Sequence, residues 1–162
     1  SEIRSSRGLA YSVGSYYSAY PDYGVFGVYC FTKNESTLTT TELIFDILER
    51  IKKDGITQKE LDLAKDSIIN SFIFSVSSAK QIVSNQIFLE YGGVDDEFYN
   101  DYTENIQKVT KNMVNETIKN FVLLDKAILL VLGDKKRFDR PLTRLGETEK
   151  ITLEDLRDRK NN

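Results

Sequence analysis

Leu9-Ala10-Tyr11-Ser12-Val13-Gly14-Ser15-Tyr16-Tyr17-Ser18-Ala19-Tyr20-Pro21-Asp22-Tyr23-Gly24-Val25-Phe26-Gly27-Val28-Tyr29-Cys30-Phe31 is the stretch that decides the fold. Leu9, Tyr11, Val13 and Tyr17 alternate with Ser12, Gly14 and Ser18, the period of a strand running to Tyr20. Pro21-Asp22-Tyr23-Gly24 has turn chemistry, because proline presets φ and glycine closes the turn. Val25 to Phe31 is rich in β-branched and aromatic residues, which suit a second strand. The reading predicts a β-hairpin over 9–32.

Downstream the period becomes helical. Thr39 and Glu42 fit a capping box ahead of an apolar stripe at Leu43, Ile44, Ile47, Leu48 and Ile51, and Gly55 fits the C-cap. Thr57 and Glu60 make a second capping box for a helix carrying Leu61, Ala64, Ile68, Ile69, Phe72 and Ile73. Ser75 to Ser78 lowers helix propensity and predicts a break or kink. A third helix runs from about Ala79 to Gly92-Gly93. Asp95 can cap a fourth that uses Phe98, Tyr99, Tyr102 and Ile106, and Thr110 a fifth that uses Val114, Ile118 and Phe121. Ala127 to Leu132 is a continuous apolar run that suits a strand buried on both faces. Thr152 and Asp155 fit the start of one more short helix.

This order, ββαααααβ, is an α+β domain: a mostly antiparallel sheet with helices packed on one face. One domain, 1–162, divides into the hairpin over 9–32, a helical segment over 39–122, a strand over 126–133 and a polar tail over 134–162. Three strands are few to back five helices. The sequence therefore reads as N-terminally incomplete. It predicts an exposed apolar face or unpaired sheet edge around the hairpin, covered by another chain.

Composition narrows function. Among 162 residues, Lys and Arg number 22 and Asp and Glu 25, for a net charge of −3. No basic stripe exists to neutralise phosphates, which argues against a nucleic-acid partner. No run approaches the roughly 20 apolar residues of a membrane span. There is no histidine. That excludes Ser-His-Asp and Cys-His catalysis and every zinc site built on imidazole. One cysteine cannot form an internal disulfide or a thiolate cage, and it leaves the compartment open. Carboxylate-only chemistry stays available.

Ile3-Arg4-Ser5-Ser6-Arg7-Gly8-Leu9-Ala10-Tyr11-Ser12-Val13-Gly14-Ser15 resembles the arginine–tyrosine motif in the C-terminal half of pitrilysin/insulinase-type zinc peptidases, the group that includes the mitochondrial processing peptidases. The hairpin, Ile56-Thr57-Gln58-Lys59-Glu60-Leu61 with Ala64-Lys65, Val109-Thr110 and the run ending Gly133-Asp134 follow in the family's order. A weaker match continues through Phe138-Asp139-Arg140-Pro141-Leu142 to Gly146. The resemblance implies one half of a two-part clamshell. The other half carries an inverted zinc motif, H-x-x-E-H, which this chain cannot contain.

By that resemblance Arg4 binds a substrate or oxyanion oxygen, and Tyr11, seven residues on, offers its hydroxyl beside a zinc-bound water. The implied function is the non-catalytic, substrate-enclosing half of a zinc metalloendopeptidase, with zinc on a partner domain or subunit and peptide as substrate. The alternative is an inactive structural or interaction subunit that keeps the fold. A homo-oligomer is a further way to cover the exposed edge. Arginine's fixed donors suit carbonyl oxygens, and a tyrosine hydroxyl can stabilise developing negative charge. Seven is an odd offset, so on one straight strand the two side chains would oppose each other. They converge only if the chain bends or bulges near Gly8. Pattern alone also accommodates Arg4 as a solvated residue and Tyr11 as filler of a sheet face.

Other motifs read more plainly. Cys30 suits a small core residue. Asp95-Asp96-Glu97 suits a helix cap, and Gly133-Asp134-Lys135-Lys136 a strand end and turn. Asn34-Glu35-Ser36 and Asn115-Glu116-Thr117 match the glycosylation triplet, which also occurs by chance. Tyr16, Tyr17, Tyr20, Tyr23 and Tyr29 either line a peptide cleft or divide between packing on the helices and sitting at sheet edges.

Overall fold

A computed structural model describes Ile3, residues 8–152 and Asp155. The hairpin forms as read: β1 (Ala10–Ala19) pairs antiparallel with β2 (Gly24–Thr32). The Tyr20 N–H donates to the Tyr23 carbonyl at 2.8 Å to close the turn, and the two rings stack at 4.7 Å. Five helices follow: α1 (Thr37–Asp54), α2 (Gln58–Ser75), α3 (Ala79–Gly92), α4 (Tyr102–Lys108) and α5 (Lys111–Phe121). The α+β class holds.

The core sits between α1 and the base of the hairpin. Ile3, Ala10 and Leu43 are buried together, flanked by Leu9, Val13, Cys30, Ile44 and Ile47. Burying these aliphatic groups is what fixes α1 to the sheet, at roughly 25 cal/mol per Å² removed from water. The C-terminal end of α1 is tied to α5. Gly55 caps α1 at φ 75°, and the Ile56 N–H donates to Asn115 Oδ1 at 2.9 Å. Lys52 Nζ donates to the Val122 carbonyl at 2.8 Å. α2 meets α4 through Lys65 Nζ on the Gln107 carbonyl at 2.7 Å and through Phe72 stacked on Tyr102 at 4.6 Å.

Local signals succeed where nothing distant competes. The Thr57–Glu60 capping box forms, with Thr57 N–H on Glu60 Oε2 at 2.8 Å and Glu60 N–H on Thr57 Oγ1 at 3.2 Å. Replacing Thr57 by alanine is expected to cost about 1 kcal/mol in a circular-dichroism melt. The predicted break falls between α2 and α3, where Ser78 accepts from the Gln81 N–H and Asn85 Nδ2 reaches the Ser75 carbonyl. Thr110 caps α5. Thr152 and Asp155 exchange hydrogen bonds as a capping pair, and the helix they would begin lies outside the described residues.

Three readings need correction. α1 starts at Thr37, and its N-terminus is capped by Asp139, about a hundred residues away in sequence. The Leu38 N–H donates to Asp139 Oδ1 at 2.8 Å and the Thr39 N–H to Oδ2 at 3.0 Å. Glu42 is held by Arg140 through two bonds, at 2.9 and 2.6 Å, so the Thr39–Glu42 box does not form. A charged tertiary cap outcompetes the local one. Asp95 caps a 3-10 turn, Asp96–Tyr99, and α4 starts separately at Tyr102.

The strand read over 126–133 has no ladder partner among the described residues, whose sheet is two-stranded. Ile128, Leu130 and Leu132 are 97%, 84% and 100% exposed, so this run is not buried on both faces. A strand exists through its partner, and none of the described strands lies alongside this one.

Candidate functional site

The register of the hairpin locates Tyr11. Nine pairs match from Ala10↔Thr32 to Ala19↔Gly24, and the register shifts between Ala10 and Ser12. Tyr11 is the extra residue of a β-bulge. Ala10 pairs with Thr32 and Val13 with Cys30, so Ala10 and Val13 share the core-facing side. The bulge therefore puts Tyr11 and Ser12 together on the opposite, open side. There Tyr11 is 67% exposed, beside Phe31 and Tyr29. Gly8, with φ at 60°, turns the chain just ahead of it. The bend required near Gly8 is present; Arg4 lies outside the described residues, so the convergence of the pair is not described.

The open face is aromatic and almost uncharged. Between residues 10 and 32 the single charged side chain is Asp22, in the turn. Two of its tyrosines lie over glycines on the neighbouring strand. A Cβ at Gly14 would stand 2.6 Å from the Tyr29 hydroxyl, and one at Gly27 would clash with Tyr16 Cζ. Gly14↔Tyr29 and Tyr16↔Gly27 are direct cross-strand pairs, so each ring covers the gap its partner leaves. Tyr29 and Phe31 meet edge-on at 6.1 Å. Such a surface offers stacking area, hydroxyl donors and, among the described residues, strand edges without a ladder partner, all without charge. The glycine–tyrosine pairing went unread in the sequence, although counting outward from Pro21-Asp22 gives the register as far as Ser12.

The described donors do not fit zinc. Among the described residues no three His, Cys, Asp or Glu side chains gather into a possible metal site, and the sequence has no histidine. Cys30 packs against the α1 core, and burial pushes its thiol pKa up, the opposite of nucleophile activation. Both glycosylation-type asparagines spend their side-chain oxygens on the fold. Asn115 holds the Ile56 N–H, and Asn34 accepts from the Asp134 N–H at 3.3 Å. Asp134 caps a 3-10 turn, Lys135–Arg137, as turn chemistry predicted. No helix among the described residues is long and apolar enough to cross a membrane.

These features define, among the described residues, a two-stranded aromatic sheet backed by helices, in a chain without histidine. Residues 1–68 match the family model described as "Peptidase M16 inactive domain". The chain is similar to the uncharacterized zinc protease YmxG of Bacillus subtilis, at 31% identity over 134 residues, covering 80% of this chain and 32% of that protein. It thus spans about a third of that relative's length. Its fold matches the crystal structure of the peptidase M16 inactive domain from Pseudomonas fluorescens with a TM-score of 0.69 at 29% identity, over 77% of this chain and 30% of that one. The periplasmic protease PqqL from Escherichia coli shares the fold at a TM-score of 0.56 and 20% identity, over 68% of this chain and 12% of that one. Residues 1–68 thus match the zinc-free type of domain in the M16, or pitrilysin/insulinase-type, peptidase family, and the likeness to proteins of that family extends over most of the chain.

Proposed function

We propose that this chain is the half of a two-part zinc endopeptidase that encloses the substrate, and that extended peptide lies on the open face of the β1–β2 hairpin beside Tyr11. The observation that carries this reading is the bulge, which turns the Tyr11 hydroxyl onto an exposed, uncharged aromatic face. Peptide backbone can pair with a free strand edge while its side chains lie over Tyr16, Tyr29 and Phe31. The zinc and its activated water belong to a histidine-bearing partner domain or subunit, which supplies the hydrolytic chemistry. Arg4 takes the oxygen-binding role that its place in the motif implies.

The test is reconstitution. The chain is mixed with a histidine-bearing M16 half, and cleavage of a quenched-fluorescence peptide is followed. Turnover is expected only with both present; a partner half that is equally active alone would sink the reading and leave an inert scaffold. Gly27→Val probes the face itself. Its side chain must push Tyr16 aside, and since that ring is exposed the fold survives. Losing one stacking surface should weaken peptide binding about tenfold.

A further inference from the structure

We infer that Thr32 is a positioning residue: its hydroxyl, backed by Thr40, fixes the bulge that aims Tyr11 at the open face. This inference rests on the proposed role of Tyr11 for its functional consequence, but not for its geometry. Thr32 is the last residue of β2 and the partner of Ala10, so it stands directly across from the bulge. Its hydroxyl donates to the Leu9 carbonyl at 2.5 Å, one residue before β1 begins. The Leu9 N–H donates to the Ile3 carbonyl at 3.2 Å, so both backbone polar groups of Leu9 are held.

Hydrogen counting orders the rest. A threonine hydroxyl has one proton, and that of Thr32 is spent on Leu9. At the 3.3 Å contact between the Thr32 and Thr40 hydroxyls, Thr40 must therefore be the donor. Thr40 is 2% exposed on the first turns of α1, so it has no water to turn to. A relay results, Thr40 to Thr32 to the Leu9 carbonyl, running from a rigid helix to the residue two before Tyr11. A bulge disrupts the regular ladder at its own position. Here a side-chain bond ties the two strands together beside the bulge and holds one register.

Thr32→Val keeps the shape and removes the hydroxyl; Thr32→Ser keeps the hydroxyl. In the purified chain, amide hydrogen exchange of Ala10–Ser12 should rise about tenfold in Thr32→Val, as expected for one lost hydrogen bond, with Tyr17↔Phe26 unaffected. Thr32→Ser should stay close to the parent. Thr40→Val, which leaves the Thr32–Leu9 bond in place, should move the same amides by less. Unchanged exchange at Ala10–Ser12 in a folded Thr32→Val chain overturns the proposal, and so does a Thr32→Ser chain that behaves like Thr32→Val.

The reconstituted peptidase separates the two ideas. Thr32→Val should lower kcat about tenfold with little change in KM, and should add nothing on a Tyr11→Phe background. Altered exchange with turnover unchanged in both Thr32→Val and Tyr11→Phe would uphold the relay and sink the role of Tyr11. Turnover reduced by Tyr11→Phe but not by Thr32→Val would overturn the positioning role of Thr32 and leave that of Tyr11 standing.

Discussion

Replacing Asp139 by alanine is expected to destabilise the chain by about 2–3 kcal/mol, the loss of charge-assisted bonds to a helix N-terminus. For a chain of this size that lowers Tm by about 5–10 °C. The carboxylate accepts from the Leu38 N–H, the Thr39 N–H and the Thr39 hydroxyl, at 2.8, 3.0 and 2.9 Å. Leu38 is fully buried, so water cannot readily replace the carboxylate on its N–H. Arg140 holds Glu42 on the next turn and reaches the Thr39 hydroxyl at 3.2 Å, so the same short segment grips α1 twice. Asp139→Asn keeps an acceptor but loses the charge, and about half the effect should remain.

The acid side gives a second readout of the same residue. Burial pushes the Asp139 carboxyl pKa up, but bonds from the Leu38 N–H, the Thr39 hydroxyl and the Thr39 N–H outweigh it and hold the pKa below the ordinary aspartate range. A group lowered in the folded state contributes stability above its unfolded pKa and loses it as pH falls through the folded one. The parent should therefore lose this contribution as pH drops below about 4, the ordinary aspartate value. Chemical denaturation at pH 7 and pH 3 should show the gap between the parent and Asp139→Ala narrowing at the lower pH. A gap that stays constant would mean that the carboxylate is not the stabilising form.

What the sequence revealed, and what it hid, follows from the range of each interaction. The hairpin, the Thr57–Glu60 box, the Ser78 break and the Gly55 stop depend on residues within a few positions of one another, and all formed as read. The cap on α1 comes from Asp139, and nothing local in Thr39-x-x-Glu42 signals that both will be claimed from so far away. The apolar run at 127–132 was legible as strand-forming, but a strand also needs a partner, which its own residues cannot specify. Tyr11 was singled out by its motif, and its role is a proposal. The bulge that orients it was legible only as a requirement, because an offset of seven cannot otherwise bring two side chains to one side. Its support at Thr32 was not, since it depends on one hydroxyl facing a carbonyl across the sheet.

Tyr11→Phe should lower kcat of the reconstituted peptidase about a hundredfold, the scale of losing one donor to developing charge in a transition state. KM should change little, because the ring and its stacking surface remain. The hydroxyl is on an exposed face with no hydrogen-bonding partner in the fold among the described residues. The isolated Tyr11→Phe chain should therefore melt with the parent, which separates chemistry from folding. Deleting Tyr11 makes a sharper comparison. Without the extra residue the ladder closes in regular alternation from Ala10 to Ser12 and no tyrosine stands at that point of the open face. If phenylalanine lowers turnover as far as the deletion does, the hydroxyl is the working part of the bulge. A phenylalanine variant with parental kcat beside an inactive deletion would instead assign the bulge to shaping the peptide path, and the proposed hydroxyl role would fall.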